Sequence, residues 1–397
     1  MDYKFSDGLK SLNPSVIREI LKYAAGTSVI SLAAGNPSPE AFPTEAVARI
    51  SERLLRERPI DALQYSITEG YTPLRQQLRE YMAAKHNVGA DGDEIIITAG
   101  AQQVMSLLTK AMCNAGDTVI CDDPAFVGAL NAFRSLGVKL CGVPMQADGM
   151  DMDALETALK AHPNTKFIYT IPNFQNPTGI TASLDKRRRM LALAKQYGVL
   201  ILEDNPYGDL RFEGENVPAI KSMDDGEVVV YAGSFSKVLA PGLRVGYAIG
   251  PKAVLQKMTV AKQGEDVHTN IWAQMICDEF MRGDFEAHLQ TLRDLYRVKA
   301  KKLMSLIDEH LVPYGVTYHP IQGGLFVWCD LPAGADMPAF CTRAVKERQV
   351  AVVPGSAFLA DETAACRSIR LNHSTPTMED METAVARLGE LAREMFA

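Results

Sequence analysis

Val199-Leu200-Ile201-Leu202-Glu203-Asp204 is a short apolar run closed by two carboxylates. The pattern predicts a buried parallel strand that delivers Asp204 at its carboxyl end, where open α/β sheets bind ligands. Comparable runs lie on both sides. Glu94-Ile95-Ile96-Ile97-Thr98, Thr118-Val119-Ile120-Cys121, Lys139-Leu140-Cys141-Gly142-Val143 and Lys166-Phe167-Ile168-Tyr169-Thr170 precede it; Val228-Val229-Val230-Tyr231 and the segment from Arg244 to Ile249 follow. Helical patterns fit between most of these seven strands. Such alternation implies right-handed crossovers, hence an α/β fold whose mostly parallel seven-stranded sheet is covered by helices on both faces.

Around Asp204 the chain carries groups that one small molecule could use together. Tyr207 lies three residues on, and Asn176 lies upstream in Asn173-Phe174-Gln175-Asn176-Pro177-Thr178-Gly179; Ser234, Ser236 and Lys237 follow the next strand, then Arg244. They supply a carboxylate that can hold a pyridine nitrogen protonated, two donors for a phenolate oxygen, an amine for a carbonyl, and hydroxyls with a guanidinium for a phosphate. That is the recognition set for pyridoxal 5'-phosphate, whose protonated ring acts as an electron sink for a carbanion at a substrate α-carbon. Each residue alone has an ordinary reading: a solvated loop lysine, a capping aspartate, a packed tyrosine, a turn at Asn176-Pro177. The same stretch also spells Ser-x-x-Lys, but the Ser-Asp-Asn and Lys-Thr-Gly partners of a penicillin-binding nucleophile do not occur in the chain. The joint appearance in this order favours the cofactor.

Composition agrees with a metabolic enzyme. At 397 residues and 47% hydrophobic the chain can build two packed domains. A formal charge of -7 and the lack of a dominant basic patch argue against a nucleic-acid partner. The one basic cluster, Lys186-Arg187-Arg188-Arg189, begins a helical segment and reads as a solvated helix face. Seven cysteines form no C-x-x-C pair, which suggests reduced thiols, and no H-E-x-x-H or i, i+4 histidine pair supports a metal. The N-terminus lacks the apolar core of a signal peptide and no stretch reaches membrane-spanning length, so a cytoplasmic protein with no membrane partner is expected.

Asn176-Pro177-Thr178-Gly179, Glu203-Asp204-Asn205-Pro206-Tyr207, Ser234-Phe235-Ser236-Lys237 through Gly246, and Ile369-Arg370-Leu371-Asn372 resemble the class I/II aminotransferases of PLP fold type I over nearly the whole chain. Within them, Pro14 to Lys22 is most similar to the 2-aminoadipate and kynurenine aminotransferase branch. The resemblance implies a large PLP-binding domain over 51–285, a smaller α+β domain over 286–397, and an N-terminal segment, 1–50, packing with the small domain. It also implies that the helix start at Gly100, Ala101 and Gln102 offers backbone N–H groups to the phosphate. Ala101 stands where the family usually has Ser, and Phe126 where it often has Tyr, so Phe126 keeps a face to stack on the pyridine ring and loses a hydroxyl. Tyr65 resembles the tyrosine that reaches the phosphate of a neighbouring subunit, which implies a homodimer with shared active sites.

A strand arginine between Ile369 and Leu371 sits among apolar neighbours and needs a carboxylate. Arg370 is therefore expected either in a structural ion pair or as a bidentate clamp on a substrate α-carboxylate, positioning the Cα–H bond. Arg18 reads either as a solvated side chain or ion pair with Glu19 or another nearby acid, or, as the resemblance implies for the segment from Ser15, as lying over the site to meet the distal carboxylate of an acidic donor such as 2-aminoadipate or glutamate, with Gly35 in a turn at the pocket floor. Aromatic or aliphatic donors would enter when that segment swings aside. The amino acid would displace Lys237 from the cofactor, the freed amine would act as general base at Cα, and departure of one 2-oxo acid followed by entry of another would give ping-pong kinetics. A lyase or decarboxylase would use the same cofactor set. A ligand-sensing domain of the same fold is the non-enzymatic alternative, although such regulators usually carry a winged helix and only about 60 residues precede the Tyr65 segment.

Overall fold

The computed structural model describes residues 3–10, 12, 28–283 and 285–397. Strands are numbered along the chain: β1 (Ile30–Ser31), β2 (Asp93–Thr98), β3 (Thr118–Asp123), β4 (Lys139–Gln146), β5 (Gly149–Met150), β6 (Thr165–Thr170), β7 (Leu200–Asp204), β8 (Val229–Ser234), β9 (Gly246–Pro251), β10 (Thr317–Tyr318), β11 (Phe326–Asp330), β12 (Val350–Ala351), β13 (Val353–Pro354) and β14 (Ser368–Asn372). The large sheet has the order β2-β9-β8-β7-β6-β3-β4-β5. All seven expected strands are in it. The eighth, β5, is a two-residue antiparallel return on β4, too short for periodicity to reveal. β9 also runs against both neighbours, while β3, β4, β6, β7 and β8 pair in parallel.

Local signals place β7. The helix Leu184–Tyr197 starts at Ser183, whose side chain accepts from the Lys186 N–H, and stops at Gly198 in the left-handed region at φ 64°, a conformation glycine takes without strain. β7 follows at once, buried along its whole length. Ile201 packs with Ile168, Leu193 and Val229 on one face, and Leu202 with Phe167 and Tyr169 on the other. Each such burial is worth about 1.5–3 kcal/mol, and the period of two forces Glu203 and Asp204 to opposite faces. The basic cluster on this helix is not uniformly solvated as expected. Arg188 and Arg189 are exposed, but Arg187 is 1% exposed and turned into the protein.

Beyond the 26-residue helix Phe285–His310, a second sheet runs β10-β11-β14-β13, antiparallel throughout. Helices Met337–Arg348 and Met378–Phe396 pack against each other beside it. β1 pairs in parallel with β12, Ile30 opposite Val350, and so brings residues 32–38 across to the end of β14. Among the described residues no helix is long and apolar enough to cross a membrane.

Candidate active site

The carboxyl end of β7 carries Asp204, 2% exposed. Its Oδ2 accepts from the Tyr169 hydroxyl at 2.9 Å, and its Oδ1 is buried with no partner. Burial pushes the carboxyl up to about 7, with the Tyr169 hydrogen bond opposing. Tyr207 lies edge-on to Phe326 at 5.9 Å, and Asn176 hydrogen-bonds its hydroxyl, whose pKa burial raises.

Lys237 comes from the connection between β8 and β9. Its Nζ donates to the Gly35 carbonyl at 2.6 Å, and its pKa falls to about 8 through burial first, then through Arg370 and Arg244. Thr98 at the exit of β2 pairs with Gly246 at the entry of β9, and Ser234 at the exit of β8 pairs with the same glycine. Gly100, Arg244, Ser234 and Ser236 therefore meet at one corner. Arg244 donates to Ser236 Oγ at 3.3 Å and to the Ala99 carbonyl at 3.1 Å, while Ser234 Oγ accepts from the Ser236 N–H at 3.1 Å. Gly100 sits at φ 75°, and a Cβ there would lie 2.4 Å from Arg244 Nη2, so only glycine fits. It begins the helix Ala101–Met112 with no side-chain cap, which leaves that N-terminus open to an anion. Gln102 turns its amide aside to the Gly128 carbonyl at 2.7 Å.

Of the two readings of Arg370, the structural ion pair is absent among the described residues. The residue is 2% exposed. Nη1 donates to Asn176 Oδ1 at 2.9 Å and Nη2 to the Ala33 carbonyl at 2.8 Å, while Nε is buried without a partner. The guanidinium lies over Phe326 and Phe358, 4.1 and 4.9 Å from the ring centroids. Two aromatic faces stand in for the missing anion, and burial lowers its pKa to about 10.

Lys237, Asp204, Tyr207, Asn176, Arg370 and Gly35 thus form one connected cluster, with the Arg244 corner beside it. Phe126 is half-buried at the start of the helix Val127–Ser135, and the preceding Ala125 N–H bonds the Phe358 carbonyl. Tyr65 is not brought in. It is 82% exposed and meets His268 edge-on at 5.8 Å. Ser15 and Arg18 lie outside the described residues. Tyr169, Phe326 and Phe358 were not anticipated. For Tyr169 a signal existed: it pairs with Leu202, two residues before Asp204 and on the same face, and a buried tyrosine hydroxyl needs a partner.

These residues fit pyridoxal phosphate on their own terms. A buried carboxylate oxygen without a donor suits a protonated ring nitrogen, an uncapped helix start beside an arginine suits a phosphate, and an enclosed amine of lowered pKa suits an aldehyde.

Known proteins agree. The profile of the family described as Aminotransferase class I and II matches residues 27–388. An aromatic-amino-acid aminotransferase of Thermococcus litoralis is 37% identical over 99% of this chain and 95% of its own. A 2-aminoadipate transaminase of Thermus thermophilus is 38% identical over 99% and 97%. The crystal structure of Pyrococcus horikoshii kynurenine aminotransferase, in complex with PMP, superposes with a TM-score of 0.94 at 34% identity, covering 99% of this chain and 98% of that one.

Proposed function

This chain belongs to the class I and II aminotransferases, enzymes of PLP fold type I that depend on pyridoxal phosphate, and from that membership we propose how its own residues carry out the transfer of an amino group from an L-amino acid to a 2-oxo acid. When bound, the cofactor supplies an aldehyde for amine exchange and a ring that withdraws electrons from the substrate's Cα. Asp204 holds the ring nitrogen protonated, Tyr207 and Asn176 meet the phenolate oxygen, and Ser234, Ser236, Arg244 and the N–H groups following Gly100 hold the phosphate. Phe126 covers the ring. Lys237 would hold the cofactor's aldehyde carbon, and its Nζ is the group that would take the proton from Cα. Burial first, then Arg370 and Arg244, lowers its pKa to about 8, which brings the amine toward the range of a general base near the operating pH.

Arg370 is the observation that carries this reading. A buried cation with no counter-ion and an unpaired Nε suits an arriving carboxylate, and the α-carboxylate of an amino acid is that anion. Its grip fixes which bond at Cα lines up for cleavage, which favours transamination over decarboxylation. The names of the relatives support acidic and aromatic donors, and for the acidic ones Arg18 is assigned the distal carboxylate. Exposed Ile60, Leu63 and Tyr65 support a homodimer in which Tyr65 completes the partner's phosphate site. The β1–β12 pairing supports the division into an N-terminal segment over 1–50 that joins a small domain over 286–397, with the large domain over 51–285 between them. Seven free thiols support a cytoplasmic location.

A half-reaction screen tests the reading. Purified enzyme is mixed with single amino acids, and loss of the lysine-bound cofactor's absorbance is followed while the product is identified. A 2-oxo acid without carbon dioxide is expected, and a decarboxylated amine would overturn transamination. Borohydride reduction with peptide mapping should label Lys237, and a label on another lysine ends that assignment. Arg18→Ala should raise KM for acidic donors alone; equal losses for leucine and phenylalanine would remove its distal role. Mixing Lys237→Ala with Tyr65→Ala chains should restore one native site per hybrid dimer, unless the two sites are independent.

A further inference from the structure

Arg187 is the buried member of a basic cluster that the proposed reaction does not use. All its donors are occupied: Nε by the Ala182 carbonyl at 3.0 Å, Nη1 by the Val217 and Pro218 carbonyls at 3.3 and 3.0 Å, and Nη2 by the Pro172 carbonyl at 2.8 Å and Asn173 Oδ1 at 2.7 Å. From Asn173 the chain of hydrogen bonds continues. Asn173 Nδ2 donates to Asn205 Oδ1 at 3.0 Å, and Asn205 Nδ2 donates to the Tyr231 hydroxyl at 2.9 Å. Arg187, Asn173 and Tyr231 are all buried.

The relay crosses between two backbone segments that the active site needs in register. Asn205 follows Asp204 directly and precedes Tyr207; Asn173 opens the turn that carries Asn176. No hydrogen bond joins Asp204 to Asn176, so the Asn173–Asn205 contact is a direct tie between the segment that would hold the ring nitrogen and the turn that would hold the phenolate oxygen. Arg187 anchors the tie rigidly, because a planar guanidinium with five bonds to fixed acceptors has no freedom left. At the other end, Tyr231 in β8 anchors it to the strand that leads to Lys237.

We propose that Asn173 and Asn205, anchored by Arg187 and Tyr231, are positioning residues that set the spacing between Asp204 and Asn176 and thereby the tilt at which the cofactor ring is held. The inference rests on the roles assigned above to Asp204 and Asn176. The two asparagines also border a crevice of ≈ 820 Å³ lined by Asp209, Arg211 and Arg293, so water can replace a deleted amide and alanine variants are expected to fold.

The test uses holoenzyme. Asn205→Ala, Asn173→Ala and the double variant are compared by pH titration of the lysine-bound cofactor's absorbance, with kcat and KM for one donor. Each single variant should shift the spectroscopic pKa by about 0.5 or more and lower kcat about tenfold with KM changed less than about twofold. Both substitutions cut the same tie, so the double variant should be no worse than either single one. Additive shifts would overturn the proposal, as would lower thermal stability with an unmoved spectroscopic pKa. Asp204→Asn is the reference. If it moves that pKa while the asparagine variants do not, the relay alone falls; if it leaves the pKa unmoved, the role of Asp204 falls and takes the relay with it.

Discussion

Glu203 and Asp204 are neighbours on one strand, both buried and both carboxylates, and the two faces of β7 treat them in opposite ways. Glu203 accepts from the Ile220 and Lys221 N–H groups at 2.9 and 2.7 Å, beside a Lys221 ammonium held between Asp93 at 2.8 Å and Asp224 at 3.0 Å. Asp204 has one hydroxyl and an oxygen with nothing on it. The arginines repeat the contrast. Arg187 uses all five donors on fixed acceptors, while Arg370 keeps Nε bare over two aromatic rings. Burial is common to both faces, so it does not separate framework from function. Between these two carboxylates and these two arginines, unmatched valence does: a buried group left without its partner is costly, and at Asp204 and Arg370 a ligand can satisfy it.

Substitutions can sharpen or break this contrast. On the open face, Lys237→Ala should leave a folded protein whose turnover falls by about 10⁴-fold or more, measured as kcat with the preferred donor. On the closed face, Lys221→Met should strand two buried carboxylates and cost about 3–5 kcal/mol in urea unfolding; a loss under ~1 kcal/mol would mean the network is not closed by that lysine. Asp204→Asn should lower kcat about 10²–10³-fold with cofactor binding largely kept. Glu203→Gln next to it, which retains an acceptor, should leave kcat within about threefold of wild type and be felt mainly in stability. Arg370→Gln should raise KM about 10–100-fold through loss of a charge-assisted clamp, and an unchanged KM would remove the carboxylate from this arginine.

The smallest effect is one of pH. Burial raises the Asp204 carboxyl from its ordinary value near 4 to about 7 in the folded chain, so folding favours its protonated form. That contribution is present at low pH and is lost as pH rises through about 7. Apoprotein should therefore weaken between pH 5 and 7, by at most about 1.4 kcal/mol per pH unit for one such carboxylate. Asp122, raised to about 7 by burial and held by Thr170 and the Ile171 N–H, adds a slope of the same sign. Asp204→Asn, or loading with cofactor, should remove only the Asp204 share. A slope unchanged by both would show that this carboxyl is not the group titrating.

The sequence made the strands legible because their apolar runs are long enough to beat noise, and it made Lys237, Asp204, Tyr207 and Arg244 legible because one cofactor explains all four. It did not reveal β5, which has two residues and no period to detect. Nor did it separate Arg187 from Arg188 and Arg189: three consecutive arginines differ only in which way a helix turns, and the position that faces inward depends on carbonyls contributed by Pro172, Val217 and Pro218. For Arg370 the need for a carboxylate was visible, but the two rings beneath the guanidinium were not. Phe326 pairs with β14 from the neighbouring strand and Phe358 comes from a separate turn, so no local pattern announces that aromatic faces flank the guanidinium.

The reversed direction of β9 has a consequence for chain length. Because β8 and β9 are antiparallel, residues 235–245 close as a hairpin, with the Phe235 N–H on the Val245 carbonyl at 3.0 Å, instead of spanning a helical crossover. Lys237 and Arg244 are therefore separated by a fixed number of residues with no slack between them. An inserted or deleted residue in a connection such as the one between β5 and β6 can be absorbed at the ends of its helix, Met152–Ala161, whereas in this hairpin it would change the reach from the amine to the corner at Gly100. In this hairpin the ruler is the chain itself.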